Sequence, residues 1–291
     1  MCEIGYRGRL FLFLVVLSMT LLVSHTVSLG QGPEIRNWLC YYGTVFGPDI
    51  YSRFDLVVLD GHKHPPLKHT AERRPILLGY ISIGEVDVKG PLWPLAEGKS
   101  YLVKKNAFWD SWIVDIRDPA WQGLLFEKAI PSILGQGFDG LFLDTPDSSL
   151  SLLQGKDKKK FEGIEEALVG IVKRIRTTYP KKAIAINRGL PVLSAVAPYL
   201  DFVVVEDLFS YYAGHEKGYV KVDPESRKTL LTQVAGGLKA NPGLIVLTLD
   251  YAGDGRIDLA REAIAFSREK GFIPYVSTYD LDQIFFYTLD P

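Results

Sequence analysis

G-F-D-G-L-F-L-D-T-P-D, residues 137–147, is the stretch whose reading decides the fold. Leu141, Phe142 and Leu143 form an apolar run with no polar break, as a strand covered on both faces requires, and the run ends on Asp144. Pro146 stops the strand, and Asp147 follows on the connecting loop. A carboxylate at the C-terminal lip of a buried strand is where an α/β barrel keeps its catalytic groups, although the same residue in isolation serves equally well as a turn or helix cap. Repetition separates the two readings, because other strand-like runs in this chain also end on acids.

Working outward, apolar or β-rich runs occur at 38–42, 56–60, 76–82, 138–144, 183–187, 202–206, 245–250 and 272–277. A shorter run at 112–115 is placed in an excursion between the third and fourth strands. Amphipathic stretches lie between the runs, the clearest at 161–178, where Ile164, Leu168, Ile171, Val172 and Ile175 share one helical face. Others fall at 124–134, 230–238 and 257–267. Strands alternating with helices imply a parallel sheet, and eight of them favour a (β/α)8 barrel, a single α/β domain over residues 30–291, above an open doubly wound sheet. No G-x-G-x-x-G or G-x-x-x-x-G-K-S/T follows any run, so no dinucleotide or P-loop cofactor is expected.

The chain has 291 residues, 47% of them hydrophobic and 23% charged, with a formal net charge of -1. It has no basic surplus for nucleic acid. Arg7 and Arg9 precede an apolar run at 10–23, followed by Ser24, Thr26, Ser28 and Gly30, so residues 1–29 read as a signal peptide. An uncleaved leader would be the protein's only link to a membrane. Cys2 belongs to the leader and leaves Cys40 without a disulfide partner. The expectation is an exported monomer, periplasmic or extracellular.

The strand ends present Tyr42, Asp60, Ser82 with Glu85, Asp144 with Asp147, Asn187 with Arg188, Glu206 with Asp207, Asp250 with Tyr251, and Tyr275 with Ser277. Acids converging on one rim raise one another's pKa values, which is the condition for acid catalysis near neutral pH. Asp144 and Glu206, after the fourth and sixth strands, can face each other across the mouth as glycoside hydrolysis requires. Glu206 is expected as general acid and Asp144 as nucleophile or base, with the reverse assignment open. Trp93, Trp109, Tyr80, Tyr101, Tyr211 and Tyr212 lie near the loops of this rim, and Trp93 is the aromatic singled out as a platform for a sugar ring.

W-L-C-Y-Y-G (38–43), G-Y-I-S-I-G-E (79–85), W-I-V-D-I-R-D-P-A-W (112–121), G-F-D-G-L-F-L-D (137–144), I-N-R-G (186–189), V-V-V-E-D-L-F (203–209) and L-D-Y-A (249–252) together resemble glycoside hydrolase family 114. The resemblance implies a (β/α)8 barrel with endo-α-1,4-polygalactosaminidase activity. Asp144 matches that family's catalytic Asp and Glu206 its catalytic Glu. Tyr42, Asp60, Glu85, Asp147, Asn187, Asp250 and Tyr251 would line the groove, with no cofactor and no metal. T-P-D at 145–147 departs from the family's more usual asparagine-containing sequence.

Two other readings compete. D-G-H-K-H at 60–64 resembles the entry motif of a metal-dependent amidohydrolase, but only His69 and His215 remain downstream and neither ends a strand. The other is a carbohydrate-binding barrel without catalysis.

Overall fold

The apolar runs become strands because each supplies side chains to two covered faces. The computed structural model describes residues 34–47, 49–67, 74–253 and 255–287. The barrel strands are β1 (Trp38–Tyr41), β2 (Leu56–Leu59), β3 (Ile76–Ser82), β4 (Gly140–Asp144), β5 (Ala183–Asn187), β6 (Phe202–Glu206), β7 (Ile245–Tyr251) and β8 (Ile273–Ser277). They lie side by side in chain order, each parallel to the next, in a nearly closed (β/α)8 barrel. Where the first and last strands meet, Trp38 Nε1 donates to Ile273 O at 3.0 Å and Tyr42 N to Leu281 O at 2.7 Å.

The chain divides into two units, Met1–Pro33 and Glu34–Pro291. The expected leader lies outside the described residues. No helix among the described residues is long and apolar enough to cross a membrane.

The helix Ile164–Thr178 buries Ile164, Leu168, Ile171, Val172 and Ile175, the face expected from its periodicity. Two other helices begin earlier than their apolar spacing indicates. Pro119 and Pro224 each take the first helical position behind an aspartate that caps it, Asp118 accepting from Ala120 N at 2.8 Å and Asp223 from Ser226 N at 2.9 Å. The second of these runs Pro224–Ala240. The excursion after β3 holds a three-stranded antiparallel sheet (Glu85–Asp87, Leu102–Asn106 and Ser111–Val114) where the sequence suggests one short strand. A hairpin, Ser210–Tyr212 with Tyr219–Lys221, follows β6.

Acids also line the N-terminal rim, and there they splice strands together. Asp139 Oδ2 accepts from Leu77 N at 3.0 Å, Asp201 Oδ2 from Ile184 N at 2.8 Å and Asp55 Oδ2 from Arg36 N at 2.8 Å. These three carboxylates satisfy backbone donors that the barrel end would otherwise leave open.

Candidate active site

Register determines which strand-end side chains enter the mouth. Residues paired across neighbouring strands point to the same side of the sheet, and neighbours along one strand to opposite sides. Ser82 pairs with Asp144, Tyr80 with Phe142, Asn187 with Val204, Glu206 with Leu249, and Tyr251 with Ser277. Counting in twos along each strand therefore places Tyr80, Asp144, Asn187, Glu206 and Tyr251 on the inner side.

The contacts follow from that placement. The amide Nδ2 of Asn187 donates to Asp144 Oδ1 at 2.9 Å and to Glu206 Oε2 at 2.7 Å, so one side chain bridges the two carboxylates. The Tyr251 hydroxyl donates to Glu206 Oε1 at 2.5 Å. Tyr80 hydrogen-bonds Asp144 and packs edge-on against Tyr42, their ring centroids 5.2 Å apart. Burial, then the charge of Glu206, push the Asp144 carboxyl from an ordinary 3.8 up to about 6, against the opposing bonds from Asn187, Thr145 N and Tyr80. Burial keeps the hydroxyls of Tyr42, Tyr80 and Tyr251 protonated well above their usual range.

The residue after each of three successive strand ends adopts the left-handed backbone without being glycine: Thr145 (φ 63°), Arg188 (φ 60°) and Asp207 (φ 57°). Each such conformation costs about 1–2 kcal/mol. Neighbouring bonds hold them, since Thr145 Oγ1 accepts from Gly84 N at 3.0 Å, Arg188 N donates to Val204 O at 2.9 Å and Asp207 N to Leu249 O at 2.9 Å. The sharp turn leaves Asp144, Asn187 and Glu206 at the mouth while the next residue returns to the neighbouring strand.

Asp147 lies just above, with Oδ2 on Arg188 Nε at 2.9 Å and Oδ1 on Gly189 N at 3.0 Å. Arg188 Nη1 also reaches Asp207 Oδ2 at 3.4 Å. Burial and the Glu206 charge push Asp207 up to about 7, with Arg188 pulling the other way. Arg188 and Asp207 belong to the strand-end rim read from the sequence, in I-N-R-G and V-E-D, and Tyr80 to its nearby aromatics, but the sequence alone assigns none of the three a role there.

Other expected residues are placed differently. Asp250 lies between the inward Leu249 and Tyr251 and so faces outward, as does Thr248, whose hydroxyl bonds Ser267 of an outer helix at 2.9 Å. Asp250 is 0% exposed, and its Oδ1 accepts from Phe209 N at 2.6 Å and Ser210 N at 2.9 Å. It anchors the loop behind Glu206. Asp250→Ala orphans both donors, and a loss of about 1–3 kcal/mol is expected in denaturant unfolding; stability equal to wild type would show the loop is held otherwise.

Glu85 is buried in the excursion sheet, bonded by Asn106 Nδ2 at 3.1 Å, Ser148 Oγ at 2.5 Å and Ser111 Oγ. It ties that sheet to the loop after β4. Asp60 Oδ1 accepts from His62 N at 2.7 Å and Lys63 N at 2.6 Å, closing its own turn. His64 turns outward, its ring nitrogens contacting Pro65 O at 2.8 Å and Gln136 Oε1 at 3.0 Å, so H-K-H does not converge on the mouth. No group of three or more metal-ligating side chains gathers among the described residues. Trp93 is half-buried on the short helix Trp93–Ala96, packed against the core. Cys40 is buried and free, and burial pushes its thiol far above the usual range.

A wall of aromatic rings leads away from Glu206. Tyr251 meets Tyr279 at 6.3 Å between centroids, Tyr279 meets Tyr212 at 4.9 Å, and Trp109 stacks on Tyr279 at 5.3 Å and 22°.

The glycoside-hydrolase family GH114 profile matches residues 28–290. The glycoside hydrolase domain of PelA from Pseudomonas aeruginosa is 28% identical, with a TM-score of 0.73, over 86% of this chain and 98% of that one. Ega3 from Aspergillus fumigatus, solved in complex with galactosamine, is 11% identical with a TM-score of 0.65, over 89% of this chain and 97% of that one, a likeness of fold alone. Comparison with curated proteins finds no match.

Proposed function

The chain belongs to glycoside hydrolase family GH114, and from that footing we propose that it is exported and cleaves an α-linked amino-sugar polysaccharide within the chain, using Asp144 and Glu206 as the catalytic pair. The observation that carries this reading is the single amide of Asn187 bonded to both carboxylates. It brings two acids of different environment to one point of an open barrel mouth, as glycosidic bond cleavage requires.

The environments differ in a way that bears on the roles. Asp144 is held up to about 6 by burial and by its charged neighbour, so it carries the pair's proton in mildly acidic solution and protonates the leaving oxygen. Glu206 receives two donors, Asn187 and Tyr251, which fix the orientation of its carboxyl group and suit it to attack the anomeric carbon. This reverses the order expected from sequence. Once Asp144 has given up its proton, it takes one from the water that releases the sugar.

Geometry also bears on stereochemistry. For the two oxygens that share the Asn187 amide, Asp144 Oδ1 and Glu206 Oε2, the bridging legs of 2.9 and 2.7 Å, laid end to end, fall short of the roughly 6.5 Å at which inverting pairs begin. Retention is the expected outcome, read as the anomer first released by NMR; initial release of the opposite anomer would exclude Glu206 as nucleophile. Because Asp144 acts protonated, kcat/KM should fall as pH rises through about 6. A profile flat from pH 5 to 8 would remove Asp144 as the acid.

Ega3 was solved with galactosamine bound, and the chemistry of this mouth supports a substrate of that class. Arg188 bonds Asp147 and Asp207 and lies in the field of Glu206, so among these described residues carboxyl groups outnumber cations. A polymer bearing free amino groups is drawn to such a mouth over about 8–10 Å in physiological salt. Export rests on the leader-like residues 1–29, and the chain is expected to act as a monomer. Groove contacts from Tyr42, Asp60 and Asp147 belong to the same reading, with Asp250 and Glu85 acting through the loops they hold.

A further inference from the structure

We propose that Trp109 and Tyr279 form an outer subsite that stacks one pyranose ring of the polymer by its C–H face, on the Glu206 side of the mouth. The inference rests on the glycosidase reading and adds where the chain lies and which residues hold it at a distance from the cleaved bond.

Three features show a built shelf. First, the rings form a continuous run from the catalytic pair outward: Glu206 bonds Tyr251, Tyr251 packs against Tyr279, and Tyr279 stacks on Trp109. Second, Trp109 is 57% exposed although Tyr279 lies against it, so stacking on Tyr279 leaves indole surface open to solvent. Phe108, 71% exposed, stands edge-on to Trp109 at 5.0 Å and borders that surface. Exposed large aromatics in contact with one another mark a site of recognition more than of stability.

Third, both ends of the shelf are fixed. Trp109 sits on the turn between the excursion strands Leu102–Asn106 and Ser111–Val114, where Asp110 takes a left-handed backbone (φ 53°) and pairs with Lys105 at 3.1 Å and Lys89 at 3.8 Å. Tyr279 is held from behind by Tyr212 and by its own backbone N–H, which donates to the Tyr219 hydroxyl at 3.2 Å. The post-β6 hairpin and the post-β3 excursion thus meet at this shelf. A sugar ring offers an apolar C–H face of matching size, and an amino sugar adds a cation that an indole face attracts.

The test compares wild type, Trp109→Ala and Trp109→Phe on galactosamine oligomers graded in length, with circular dichroism to verify folding. The ratio of wild-type to Trp109→Ala kcat/KM should rise with oligomer length to about tenfold and then level off, carried by KM, with Trp109→Phe restoring most of it. Binding of the long polymer to Asp144→Asn should weaken similarly when Trp109→Ala is added. A ratio independent of length, or a loss carried by kcat alone, overturns the shelf while leaving the hydrolase reading intact. If wild type cleaves no amino-sugar oligomer of any length, the underlying reading fails and the shelf fails with it.

Discussion

Asp144→Asn and Glu206→Gln should each lower turnover of an amino-sugar polymer by about 100- to 10,000-fold, the usual contribution of a positioned proton donor or acceptor, or more for the nucleophile. The double variant should be little worse than the poorer single one, because the two groups act on one bond and their losses do not add. Binding should survive, since both replacements keep hydrogen-bonding oxygens at the mouth. Retained cleavage in either variant contradicts the pairing. A wild type that binds polymer and never cleaves it indicates a carbohydrate-binding barrel.

The first of these substitutions also has a signature in stability. The Asp144 carboxyl is raised from 3.8 to about 6, so the folded state favours its protonated form. Its contribution is fully present below pH 3.8 and is lost as pH rises through about 6. The amide introduced by Asp144→Asn stays neutral at every pH, so the variant should melt above wild type at pH 7 to 8, with the gap closing toward pH 4. An inactive variant that is more stable than its parent excludes misfolding as the cause.

Asn187→Ala should have the second largest effect. Its two donor bonds hold the carboxylates in a common orientation, and a displacement of about 1 Å at such a site costs on the order of 100-fold in rate. Asn187 Oδ1 is buried without a protein partner, so the amide's orientation serves its donors. Since the amide lowers the Asp144 pKa, its removal should also move the alkaline fall of kcat/KM to higher pH. A rate and profile like wild type would mean the bridge has no part in the chemistry.

Much of this arrangement is legible in the chain itself. The eight runs stand out because parallel strands must be apolar on both faces, and Asp144 and Glu206 mark where two of them stop. Burial also follows from periodicity in Ile164–Thr178. The helix starts at 119 and 224 are written in the Asp-Pro pairs, a signal separate from apolar spacing. Asp250 shows what strand-end position omits: Tyr251, the next residue, carries the inward parity, and Asp250 therefore faces the outer layer. Glu85 shows a different gap, because only the excursion sheet, with its short and lysine-containing strands, reveals that its carboxylate is fully engaged. The shelf is legible only in part: Trp109 stands out as an aromatic near the mouth loops, but its stacking on Tyr279 joins distant loops that only the closed barrel brings together.

The most direct test incubates purified wild-type protein, Asp144→Asn and Glu206→Gln with a galactosamine-containing polymer and sizes the products by mass spectrometry. The account predicts a ladder of short oligomers from wild type and intact polymer from both variants. Intact polymer in all three, or the same ladder in all three, would contradict it.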